Sequence, residues 1–109
     1  MEVFFEDPRL EKMFSNEKEL RKQHGPARAK RIGQRVKDLR AVETLADMRQ
    51  MPGRCHELTA DLAGYLSLDL DHPYRLLFRP AHETEPGPGG GLDWTKVTAV
   101  VITSITDTH

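Results

Sequence analysis

Two histidines stand where proton chemistry is possible: His56 in "RCHEL", just ahead of an alternating stretch, and His109 closing "TDTH". An imidazole titrates near neutral pH, so two of them on one surface can take up and return a proton. Held apart, they are ordinary surface histidines. Arg75 lies among apolar residues in "YRLLF". Its guanidinium fork suits two phosphate oxygens, and the competing assignment is an edge ion pair with Asp69 or Asp71. Tyr65 can stack a base or simply cover a sheet.

Metal chemistry finds less support. Cys55 and His56 are adjacent, and neighbouring strand side chains point to opposite faces, so they do not share one zinc ion. His72 and His82 fall in a turn and a loop without ligand spacing. Cys55 reads as a small buried residue. "GPGGG" is not set in a strand–loop–helix unit and no Lys-Ser/Thr follows it, so it is a linker between strands rather than a phosphate-binding loop. No metal and no cofactor is expected.

Positioning these groups falls to elements that the sequence marks clearly. "MEVFF" is a short strand closed by Asp7-Pro8, with Asp7 as cap and Pro8 as first residue of a helix running through Phe14. Ser15 or Asn16 can cap "NEKELRKQ", which stops at Gly25-Pro26. "PARAKRIGQRVKDLRAV" is the longest helix. Ile32, Val36 and Leu39 form its apolar stripe, with Arg28, Arg31, Arg35 and Lys37 on the outer side. "ETLADMRQM" adds a turn or two before Pro52-Gly53. The period then becomes two: Leu66, Leu68 and Leu70 alternate with Tyr65, Ser67 and Asp69. "DLDHP" turns the chain, "YRLLFRP" returns, "AHETEPGPGGGLD" is an exposed flexible loop, and "WTKVTAVVITSIT" is the last strand. The expectation is one α+β domain over residues 1–109, with the N-terminal strand and helices on one face of a curved antiparallel sheet. The other face, with Tyr65, Ser67 and Arg75, is left open.

A single cysteine rules out an internal disulfide. No apolar run reaches the roughly 18–20 residues of a membrane span, and "MEVFFEDPRL" is no signal peptide, so a cytoplasmic protein is expected. The net charge of −1 hides an asymmetry: Lys18 to Arg54 carries eleven Lys and Arg against four Asp and Glu, a local balance of +7. Such a block can guide a phosphate-rich partner or be a solvated helix face.

"MRQMPGRCHELTADLAGYLSLDLDHPYRLLF", followed by a last strand ending in "DTH", resembles the HigB-type killer toxins of bacterial toxin–antitoxin modules, within the RelE/ParE superfamily. The family's His-x-Leu-Lys-Gly-Asp-Arg, Gly-Tyr and aromatic-Arg blocks read here as His56 to Leu62, Gly64-Tyr65 and Tyr74-Arg75. Its closing Asp-Tyr-His reads Asp107-Thr108-His109. The resemblance implies a RelE-like fold and a metal-free interferase that cuts mRNA on the ribosome. It also implies a cognate antitoxin, usually a helix-turn-helix protein, with operator DNA met only through their complex. It assigns proton transfer to His56 and His109, transition-state stabilisation to Arg75 and an orienting role to Asp107. Arg54, Thr59, Tyr65, Arg79, Arg31 and Arg35 are the expected RNA contacts. Thr59, Leu62 and Thr108 stand where the family commonly has Lys, Arg and Tyr, which leaves Arg54, Arg79 or the basic helix to supply the missing charge. Two other activities fit the same fold: a ParE-like toxin that inhibits a protein such as DNA gyrase, and a degenerate toxin retained to bind its antitoxin.

Overall fold

The computed structural model describes residues 1–107. Its order is β1 (Glu2–Phe5), α1 (Pro8–Phe14), α2 (Glu17–His24), α3 (Pro26–Ala41), β2 (His56–Glu57), β3 (Leu66–Asp69), β4 (Tyr74–Pro80) and β5 (Ala99–Asp107). Short 3-10 turns cover Leu45–Gln50, Ala60–Leu62 and Trp94–Lys96. The helix starts follow the local chemistry. Asp7 accepts the Leu10 amide at 2.9 Å and Asn16 accepts that of Glu19 at 3.1 Å, each satisfying an otherwise orphaned donor. Gly25, at φ 81°, ends α2, and Pro26 opens α3 at the position where its missing N–H costs nothing.

The sheet runs β1-β5-β4-β3-β2. β2 to β5 pair antiparallel, and β1 adds a parallel edge against β5, with Val3 beside Val100 and Phe5 beside Ile102. The helices cover one face. Ile32, Val36 and Leu39 from α3 meet Leu66, Leu68, Leu76, Phe78, Val100 and Ile102 in a single core, as the stripe and the alternation require. Between Leu77 and Phe78 the β4–β5 register slips by one residue: Leu77 faces Ser104 and Phe78 faces Ile102, so Thr103 is the extra residue of a β-bulge.

Two expectations are corrected. Trp94–Lys96 is not strand: Asp93 accepts the Thr95 amide at 3.0 Å and caps a 3-10 turn, so β5 starts only at Ala99. Arg35 is not on the outer side of α3; it is buried, at 8% exposure, with Nε donating to the Asp69 carbonyl at 2.8 Å. Position 35 lies three residues after Ile32 and four before Leu39, so helix geometry turns it onto the buried stripe despite its charge. The buried guanidinium is held below its ordinary pKa, first by loss of water and then by Arg31.

Candidate functional site: an arginine and histidine strand face

The face away from the helices is built by strand parity. His56 pairs with Ser67, Ser67 with Leu77 and Leu77 with Ser104, a row crossing four strands on one face. One step toward the β3–β4 turn, Asp69, Arg75 and Thr106 form a second row on that face. Leu77 is buried but lies outside the main core cluster, as a residue filling this second face must.

His56 is oriented by its own backbone. Its Nδ1 lies 2.8 Å from the Arg54 carbonyl, and a carbonyl only accepts, so Nδ1 carries the proton in the neutral ring. The lone pair is then on Nε2, which faces Ser67 Oγ at 3.5 Å. This is the state that a general base requires. Arg54 reaches that geometry at φ 52°, a left-handed conformation costing about 1–2 kcal/mol for a residue with a Cβ. The carbonyl of Gly53 before it, at φ 109°, accepts the Asp69 amide at 2.7 Å. A Cβ at Gly53 would stand 2.7 Å from Arg35 Nε, so only glycine lets the chain pass over the buried guanidinium.

Arg54 and Arg75 converge on one carboxylate. Arg54 Nε donates to Asp69 Oδ2 at 3.0 Å. Arg75 Nε stands 3.5 Å from Oδ1, within ion-pair range but outside hydrogen-bond geometry, and Oδ1 is buried with no hydrogen bond. Arg54, Asp69, His72, Tyr74 and Arg75 bound a recess of about 70 Å³. A single water needs roughly 10–15 Å³, so the recess has room for a group larger than one water. Larger grooves lie on the helix layer, one of about 580 Å³ between Phe14, Leu20, Ala29 and Gly33. They hold no histidine.

The remaining expected site residues divide. Tyr65 precedes β3 on the parity of Ser67 and is half-buried; Arg79 pairs with Val101 farther along the same face. Thr59 is exposed at the start of the Ala60–Leu62 turn, on the chain leading from His56. Arg31 is exposed on α3, in the helix layer and away from His56. Asp107 pairs with Tyr74, one step from Arg75 in register and therefore on the opposite parity. β5 thus runs out toward the Arg75 end of the face, not toward His56. The expectation that His109 returns to His56 lies outside the described residues.

Three groups acquire roles that the sequence did not assign. Ser67 is fully buried beside His56. Asp69, named from the sequence only as an alternative partner of Arg75, also takes Arg54. Arg28 makes two hydrogen bonds to Asp71, at 2.8 and 3.0 Å, and stacks on the Tyr74 ring at 3.5 Å, tying α3 to the β3–β4 turn. That bond pair holds the Asp71 carboxyl below its usual range. On the far side Arg49 lies 4.0 Å over Trp94, whose Nε1 donates to Glu57 at 3.2 Å. Burial pushes the Cys55 thiol up to about 12, with Arg49 acting weakly against it, so Cys55 is an inert core thiol. Among the described residues no group of three or more His, Cys, Asp or Glu is placed to hold a metal ion, and no helix is long and apolar enough to cross a membrane. His82 Nε2 instead accepts the Thr98 amide at 3.2 Å, pinning the preceding loop to the start of β5.

No protein-family model matches the sequence, and no curated protein does. Solved structures do. A YoeB/ParE toxin from Agrobacterium tumefaciens superposes with a TM-score of 0.56 at 12% identity, over 100% of both chains. A YoeB dimer from Staphylococcus aureus gives 0.55 at 18% identity, over 100% of this chain and 97% of that one. The five-stranded sheet with its helix layer is therefore the RelE-like fold of the YoeB/ParE toxins.

Proposed function

We propose that this protein is the toxin of a type II toxin–antitoxin pair, of the HigB type, and a metal-free endoribonuclease that cuts mRNA on the ribosome. The observation that carries the reading is the strand face itself: a histidine whose Nδ1 is held by the Arg54 carbonyl, leaving the lone pair on Nε2, on the same face as two arginines, in a fold shared with toxins. In this reading His56 takes the 2′-hydroxyl proton, and the oxygen attacks the adjacent phosphorus. Arg75, with Arg54, stabilises the charge that builds on the non-bridging oxygens. The 5′-oxygen leaves with a proton supplied by a second group, for which His109 is the candidate and Asp107 its orienting neighbour. The products are a 2′,3′-cyclic phosphate and a 5′-hydroxyl. A helix-turn-helix antitoxin holds the protein inactive in the cytoplasm, and operator DNA is met through that complex.

The test is induction of the wild type and of His56→Ala in bacterial culture, with primer extension on one abundant transcript. The expected result is growth arrest with discrete new 5′ ends, both absent in the variant. Arrest with intact transcripts overturns the nuclease. A second reading, a ParE-like toxin acting on DNA gyrase, is favoured by Thr59 and the exposed Leu62 at positions where the family has cations. Inhibited supercoiling with normal translation would select it. A degenerate toxin kept for its antitoxin would arrest nothing.

A further inference from the structure

The nuclease reading leaves one half-buried carboxylate without a task. Asp69 sends its carboxylate into the recess between the two arginines that are to receive RNA, a position where a negative charge opposes the substrate. Its placement is firm: the Asp69 amide donates to Gly53 at 2.7 Å, and its carbonyl accepts from the buried Arg35 at 2.8 Å. One carboxylate against two guanidinium groups leaves a single surplus positive charge. One of its oxygens is desolvated without a hydrogen bond, which is costly and makes this contact weaker than a well-formed pair. A phosphodiester offers the same two-oxygen edge with the same charge.

We propose that Asp69 is the resident counter-anion of the phosphodiester site: its carboxylate occupies the place of an RNA phosphate, holds Arg54 and Arg75 in position, and is displaced from them when RNA enters. The inference rests on the nuclease reading for the identity of its ligand. Asp69 is a positioning residue, acting on substrate through the two arginines. Its effect is to set the threshold for binding. An isolated phosphate competes poorly with a tethered carboxylate, whereas a strand engaging the rest of the basic surface competes well.

The test is binding, not cleavage, so that it is decided separately from catalysis. A 2′-O-methyl oligoribonucleotide, which lacks the attacking hydroxyl, is titrated against wild type and Asp69→Asn over a range of salt. Asp69→Asn is expected to bind about tenfold tighter, since a like charge a few ångströms from the phosphate has been removed. Its plot of log affinity against log salt should steepen by about 0.7, one more phosphate contact on a single strand. Both gains should vanish in an Arg54→Ala/Arg75→Ala background. In the wild type the Nε–Hε resonances of Arg54 and Arg75 should shift on adding the oligonucleotide, a readout that does not depend on the variant folding. Equal or weaker binding by a folded Asp69→Asn protein overturns the inference. So do arginine resonances unmoved while RNA binds. Tight, Asp69-limited binding by a wild type that leaves ordinary RNA uncut keeps the anion site and removes the nuclease.

Discussion

At the scale of single residues, His56 and Cys55 show how two neighbours in sequence acquire opposite chemistry. His56 turns to the strand face, where the Arg54 carbonyl fixes its tautomer; Cys55 packs against the core, and burial keeps its thiol protonated. Under the nuclease proposal, His56→Ala is expected to lower single-turnover RNA cleavage by about 10²–10⁴-fold, as loss of a general base does, while Ser67→Ala costs under about tenfold because Ser67 touches only the ring. Cys55 should resist iodoacetamide in the folded protein at pH 8 and react after unfolding in urea. Its pKa is raised on folding, so from about pH 9 the unfolded thiol loses its proton while the folded one keeps it until about 12. Stability should therefore fall across that interval, and Cys55→Ala should flatten the alkaline limb of a urea-midpoint profile.

At the scale of elements, the strut under the site is Arg35 with Gly53. Gly53→Ala meets both a left-handed φ and a Cβ 2.7 Å from Arg35 Nε. Urea unfolding should show a loss of about 1–3 kcal/mol. Arg35→Ala should cost a similar amount through the unsatisfied Asp69 carbonyl, whereas Arg31→Ala, one turn earlier and exposed, should stay within about 0.5 kcal/mol. Much of this layer was legible in the sequence. Asp7-Pro8, Asn16 and Gly25-Pro26 carry local capping signals that no distant contact overrides. The leucines at 66, 68 and 70 set the faces of β3, and with them the side on which Ser67 and Asp69 lie. Arg35 was misread because residue type was given precedence over helical position. The turn at Trp94 was hidden inside a β-branched run. The Arg75–Asp69 pair is one of the two edge pairings the sequence offers for Arg75, but the pairing of Asp69 with Arg54 had no local signal, because Arg54 reaches it through a backbone conformation unusual for arginine.

At the scale of the molecule, charge and topology divide the labour between two layers. Lys30, Arg31 and Lys37 are exposed on α3, behind the sheet from His56. Under the nuclease proposal, a Lys30→Gln/Arg31→Gln/Lys37→Gln variant should bind ribosomes more weakly and with a shallower salt dependence. The parallel pairing of β1 with β5 has a further consequence. The first strand to be made waits for the last, and β5 then enters between β1 and β4 to become a central strand of the sheet. Until residues 99–107 are available, β1 has no neighbour, Arg75 lacks the strand that flanks it, and the core lacks Val100 and Ile102. A growing chain is thus withheld from this fold until β5 has emerged from the ribosome. Chains stalled at residue 98 should be digested by protease at the tunnel mouth, and chains extended past 109 by a linker should resist. The order of the strands sets when the sheet can close as well as how it is built.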